Sequence, residues 1–152
     1  MNLKEKGFTL VELMIAVVVL AIGILGLIGL QVAAMNGNLS ANKMTTAMTL
    51  AQDEIEQLKR LPLTNGALTD AGNNDKLTSP ANAASFEHTD ANNPINESGE
   101  NTGLGGYYRF WNVADDTPTQ GAKTVVVFVF WGAMDANGLP RHRVMVPTII
   151  GG

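Results

Sequence analysis

The sequence predicts an α+β protein in which a long N-terminal membrane-spanning helix packs on a small C-terminal antiparallel β-sheet. Three observations carry that prediction. Leu13 to Leu30 is a run of eighteen residues without a charge. As a helix it would measure about 27 Å at ~1.5 Å per residue, close to the ~30 Å hydrocarbon layer of a bilayer. Met44, Met48, Ala51, Ile55 and Leu58 then recur at intervals of four, three, four and three, one apolar stripe along a helix. From Tyr107 the pattern changes to β-branched and aromatic runs broken by turn residues.

The chain opens with a short polar run, Met1 to Lys6, containing Lys4 and Lys6, and then Gly7-Phe8-Thr9-Leu10-Val11-Glu12 leads into the apolar segment. Two lysines before the span and no basic excess just after it orient the start of the chain to the cytoplasm and the bulk of it outside. A generic anchor explains the length of the span but not Glu12. A carboxylate one turn past Phe8, at the edge of an apolar run, costs on the order of several kcal/mol to desolvate unless a partner neutralises it.

The stretch Gly7-Phe8-Thr9-Leu10-Val11-Glu12-Leu13 resembles the start of the type IV prepilin family. The resemblance implies that a membrane-embedded prepilin peptidase cuts between Gly7 and Phe8 and N-methylates Phe8. Residues 1–7 are then a cleaved cytoplasmic leader, and 8–35 the transmembrane and assembly half of the helix. It also implies that Glu12 pairs with the Phe8 amine of a neighbouring subunit. An ammonium and a carboxylate attract strongly in an apolar fibre core, where either alone is penalised. The implied partners are prepilin peptidase, other major and minor pilins, the inner-membrane assembly platform and inner-membrane lipid. The implied location is the bacterial inner membrane as a single-pass precursor with its C-terminal domain in the periplasm, and later the pilus or cell surface. The competing reading is an ordinary secretory signal, for which Val32-Ala33-Ala34 offers a small-residue cleavage site. Such a signal has an apolar region of only ~7 to 15 residues and no use for a glutamate at its edge.

Leu20-Ala21-Ile22-Gly23-Ile24-Leu25-Gly26-Leu27-Ile28-Gly29-Leu30-Gln31 is similar to the same stretch of the PilV-type minor pilins, the type IV pilus modification proteins. The chain has no cysteine. Major pilins commonly close a C-terminal loop with a disulfide, so the resemblance favours a minor pilin or a pseudopilin over a principal fibre subunit. Gly23, Gly26 and Gly29 read equally as a close-packing surface or as the ordinary glycine content of membrane helices.

The second half of the helix, 36–61, places Asp53, Glu54, Lys59 and Arg60 on a wet face opposite the stripe, with Glu56 and Arg60 spaced for a surface pair. Asn36-Gly37-Asn38 is its weak point, and Pro62 ends it near Leu61, giving one helix from Phe8 to Leu61. Residues 62–106 form a connector rich in Asn, Asp, Gly, Ser, Thr and Pro, expected to be mostly irregular and to bury little core. Asp70, Asp75, Asp90, Glu97 and Glu100 raise calcium, but neither Asp70 to Asp75 nor Asp90 to Asn93 has the alternating ligand pattern of a calcium loop.

Residues 107–152 form the sheet: strands Tyr107 to Val113, Lys123 to Trp131 and Arg141 to Ile149 in a three-stranded meander, turning at Asp115-Asp116-Thr117-Pro118 and Asp135-Ala136-Asn137-Gly138. The middle strand is apolar on both faces, so one face should lie on the helix stripe and the other under the connector or a neighbouring subunit. The chain has two histidines, His88 and His142, and no glycine-rich phosphate loop or hydrolase nucleophile motif. No catalytic residue, metal ligand or cofactor is expected. The formal charge of −4 becomes −5 once Lys4, Glu5 and Lys6 leave with the leader, which disfavours nucleic acid. The combined expectation is a minor pilin, a non-catalytic subunit of type IV pilus assembly or priming. The alternatives are a minor pseudopilin of a type II secretion system and, in a binding class, a tip adhesin or DNA-uptake pilin.

Overall fold

A computed structural model of the chain describes residues 8–71, 77 and 82–151. The chain divides into two compact units, Met1–Ala41 and Asn42–Gly152. One helix, α1 (Leu10–Lys59), contributes to both. Four strands follow: β1 (His88–Thr89), β2 (Tyr107–Asp115), β3 (Lys123–Met134) and β4 (Pro140–Ile150).

The described part of the first unit is the N-terminal stretch of α1, with its apolar side chains exposed throughout. The helix starts at Leu10 rather than Phe8 because Thr9 caps it. The Thr9 hydroxyl accepts the Glu12 N–H at 3.3 Å, and the Thr9 carbonyl takes the first helical bond from Leu13. Asn36-Gly37-Asn38 does not interrupt the helix. Open space surrounds Gly23, Gly26 and Gly29, so nothing within the chain requires glycine there. At the far end Arg60 and Leu61 donate to Gln57 and Leu58, a tightened last turn ahead of Pro62.

The second unit is a four-stranded antiparallel sheet in the order β1-β2-β3-β4, with residues 42–59 of α1 on one face. β2 and β3 pair from Tyr107↔Trp131 to Asp115↔Lys123, and β3 and β4 from Lys123↔Ile150 to Met134↔Pro140. The turns use the expected residues. Asp135 Oδ1 accepts the N–H groups of Asn137 and Leu139, Gly138 takes a positive φ of 74°, and Asp116 one of 52°.

β3 divides the core in two. Val125, Val127, Val129 and Trp131 pack with the helix side chains Leu50, Ala51, Ile55 and Leu58. Val126, Phe128 and Phe130 on the other face are covered by Phe86, Leu77 and Ala83 of the connector and by Leu139. Phe86 stacks on Phe110 at 4.5 Å and meets Phe128 and Phe130 edge-on at 5.2 and 5.8 Å.

Four expectations are corrected. The sheet gains a strand, because Glu87 anchors the chain beside β2: its N–H donates to Asn112 Oδ1 and its carboxylate accepts the Val113 N–H. The connector is not core-poor, since Leu68 and Ile95 are fully buried and Phe86 covers the outer face. The stripe is rotated: Met44 and Met48 are exposed, and Ala47, Leu50, Ala51, Glu54, Ile55 and Leu58 face inward. Glu56 pairs with Lys59 at 3.4 Å instead of Arg60, and Glu54 is buried rather than wet.

Candidate functional site

Two places carry chemistry. The first is the start of α1. Gly7 lies outside the described residues. Phe8 precedes the helix and is 84% exposed, and Glu12 is exposed at the third helical position. Thr9-Leu10-Val11-Glu12 is a capping-box sequence, of which the Thr9 half forms. Glu12 thus stands in the first turn, where the helix dipole favours negative charge. Among the described residues its carboxylate has no ion pair. Phe8 and Glu12 are one turn apart in sequence and are not joined to each other. Beyond them the span Leu13 to Leu30 lies within a helix long and apolar enough to cross a membrane.

The second place is buried. Arg109 on β2 forms a bidentate pair with Asp90, Nε to Oδ2 at 2.8 Å and Nη2 to Oδ1 at 3.0 Å. Its Nη2 also reaches Glu54 Oε2 of α1 at 2.9 Å, and its Nη1 donates to the Leu50 carbonyl at 3.1 Å. Asn93 brackets the same residue, accepting the Arg109 N–H and donating to its carbonyl. One guanidinium thereby ties together the helix, the connector and the sheet. Burial raises the pKa of Glu54; the Arg109 charge opposes that rise and Asp90 adds to it. Burial likewise raises the Tyr107 phenol, against a hydrogen bond from Thr46 and with help from Glu97. The cluster was readable in part: Glu54 sits four residues after Leu50 and four before Leu58, inside the buried stripe, and Arg109 lies between aromatic residues in a strand. A pair of opposite charges at two core positions is the signal.

Of the other candidate residues, Asp75 lies outside the described residues, while His88, His142, Asp70 and Asp90 are engaged within the fold. His88 stacks on Trp111 at 5.4 Å with its Nε2 2.8 Å from the Thr69 carbonyl, and His142 stacks on Trp131 at 5.7 Å. Asp90 serves Arg109, and Asp70 accepts the Asp115 N–H, so neither is offered to an ion. Among the described residues no group of three or more His, Cys, Asp and Glu side chains could hold a metal. A recess of about 250 Å³ is lined by Lys43, Glu97, Tyr107 and Trp131, with glycines at Gly105, Gly106 and Gly132.

Residues 2–28 match the family model described as the prokaryotic N-terminal methylation motif. The chain carries a prepilin-like motif. No curated protein and no solved structure matches the chain. The matched stretch contains the Gly7-Phe8 junction, Glu12 and most of the apolar run. It supports a type IV pilin-like or pseudopilin protein and suggests a structural role. Such a motif implies processing by prepilin peptidase and association with pilins. With the apolar helix it is consistent with a precursor anchored in the inner membrane. The helix and the antiparallel sheet give the pilin-like α+β layout.

Proposed function

We propose that the chain is a minor pilin of the PilV type, a non-catalytic subunit used in the assembly or priming of a type IV pilus. Prepilin peptidase cleaves it between Gly7 and Phe8 and methylates the Phe8 amine. The mature helix leaves the inner membrane for the fibre, and Glu12 neutralises the methylated amine of a neighbouring subunit. The observation that carries the reading is the methylation motif over residues 2–28, which runs into a helix whose large apolar side chains from Leu10 to Leu39 are exposed. The lack of cysteine supports a minor role, since no disulfide can close the C-terminal loop.

Intact mass and N-terminal sequencing of protein from the native membrane test the processing. The expected mature chain begins at N-methyl Phe8. A start near Met35 would mean removal of an ordinary signal peptide and would overturn the reading. A minor pseudopilin would share that processing. Deleting the gene separates the two: loss of surface pili with normal exoprotein secretion supports the pilus, and the reverse supports the secretion system.

A further inference from the structure

Lys43 is the first charged residue after Glu12, since Leu13 to Asn42 carries none. It lines the recess of about 250 Å³, and so does Glu97. Both side chains are exposed, and among the described residues neither has an ion pair. The recess therefore holds a cation and an anion that do not neutralise each other. Tyr107 and Trp131 close it, 4% and 7% exposed, and offer little ring face to a ligand. Its volume falls just below the ~300–1,000 Å³ of pockets for drug-sized molecules, so its occupant is small. A small zwitterion fits this chemistry, with an anionic group for Lys43 and an ammonium for Glu97.

Glu97 belongs to a loop, residues 96–106, that is held in shape. Asn96 Oδ1 accepts the N–H groups of Ser98 and Glu100, and its Nδ2 donates to Glu100 Oε2 at 2.7 Å. Gly103 donates to Asn92 and Gly105 to Pro94. A Cβ on Gly105, which lines the recess, would collide with the Ile95 backbone, so that close approach requires glycine. Next to Gly105 in the chain stands Leu104, 91% exposed. A leucine on a pre-ordered loop loses little further entropy when it docks. An apolar side chain beside a charged rim suits a lipid surface, where it enters the boundary between headgroups and acyl chains while its polar neighbours stay among the headgroups.

The helix that carries Lys43 also carries the apolar span, so a bilayer holding that span supplies headgroups at high effective concentration. The charges select among them. Phosphatidylglycerol would satisfy Lys43 but bring a second anion to Glu97 and Glu100. Phosphatidylcholine has both charges, yet its quaternary ammonium has no N–H for Glu97. Phosphatidylethanolamine has a phosphate and an ammonium with three N–H donors. We propose that the recess binds the zwitterionic headgroup of phosphatidylethanolamine, phosphate on Lys43 and ammonium on Glu97, with Leu104 seated in the lipid beside it. The contact holds the loop on the bilayer and must break when the helix leaves the membrane. It rests on α1 being a membrane anchor, and on neither the pilus role nor cleavage at Gly7.

The cysteine-free chain allows a single reporter, Leu104→Cys carrying an environment-sensitive dye, in the full-length protein. The protein is reconstituted in phosphatidylcholine liposomes containing phosphatidylethanolamine or phosphatidylglycerol. Flotation after an alkaline carbonate wash scores insertion first. Protein that fails to float would overturn the anchor and this proposal with it, whereas protein that floats without the dye response overturns the proposal alone. Phosphatidylethanolamine should shift the dye emission to the blue and expose it to a lipid-borne quencher, and phosphatidylglycerol should add nothing to phosphatidylcholine alone. Glu97→Gln and Lys43→Gln should each raise the phosphatidylethanolamine fraction needed for half the shift about fivefold, the scale of one exposed ion pair lost. Circular dichroism melts confirm that each variant is folded. Looser lipid packing would shift wild type and Glu97→Gln alike, and that result would overturn the proposal. Equal shifts with phosphatidylethanolamine and phosphatidylglycerol would overturn it too. So would a full shift on adding soluble glycerophosphoethanolamine to phosphatidylcholine liposomes, because the recess would then serve a soluble zwitterion.

Discussion

A single guanidinium, Arg109, serves two carboxylates inside the second unit, and this imbalance has a measurable consequence. With Glu54 and Asp90 both ionised the cluster carries one more negative than positive charge, in a place from which water is largely removed. Burial therefore pushes the Glu54 pKa up from its ordinary 4.5, with Arg109 opposing and Asp90 adding. The folded chain then holds the Glu54 proton more tightly than the unfolded chain does. This residue's contribution is greatest at and below the unfolded pKa and is lost as pH rises through the folded value. Glu54→Gln should flatten that part of the profile: melting temperatures of wild type and variant, measured from about pH 4 upward, should converge at the acid end and separate towards neutrality in the variant's favour. Parallel profiles would show that Glu54 does not carry the titration. Arg109→Met leaves two buried carboxylates without their cation and should cost about 3–5 kcal/mol. The pair is legible only in part: Glu54 keeps the spacing of the buried stripe and Arg109 stands between aromatic residues, but each alone reads as solvent-facing until the other is placed beside it.

At the scale of elements, the periods of the helix and the strands predicted what packs, while the rotation of the helix escaped. Counting methionine as buried and glutamate as wet puts the stripe on Met44 and Met48. The helix instead turns Ala47, Leu50, Ala51, Glu54, Ile55 and Leu58 inward, because the small alanines allow close approach and Arg109 makes Glu54 acceptable there. The difference is testable by stability. Leu50→Ala should cost about 2–5 kcal/mol, as for a leucine deleted from a closed core, and Met44→Ala should stay within about 0.5 kcal/mol. Chemical denaturation of both variants decides it, and equal losses would restore the original stripe. β1 escaped for another reason: two residues are too short to show a period, and their place is fixed by Glu87 bonding to Asn112 and Val113 rather than by their own pattern. Phe86 escaped similarly, as a lone aromatic in a polar connector whose partners Phe110, Phe128 and Phe130 lie far along the chain.

For the molecule as a whole, the decisive signal is local in sequence, which is why it could be read from the seven residues Gly7 to Leu13. Its role in assembly depends on whether Glu12 acts within its own helix or on another chain. Within the helix it holds the third position behind the Thr9 cap, where glutamate and glutamine serve equally well as the returning half of a capping box. Across chains only the charge can neutralise an ammonium. The two substitutions Glu12→Gln and Glu12→Val separate these roles. Both variants should insert in the membrane and be processed, since neither changes the Gly7-Phe8 junction or shortens the apolar span. If Glu12 is the assembly residue, glutamine should fail as valine does: both variants should accumulate in the inner-membrane fraction, with recovery in sheared fibres down by about tenfold or more, the scale expected for a desolvated charge left without its partner. If Glu12 only caps its own helix, Glu12→Gln should be incorporated like the wild type while Glu12→Val alone declines. Normal recovery of Glu12→Gln in fibres would therefore remove the intersubunit pairing while leaving cleavage and methylation at Phe8 untouched.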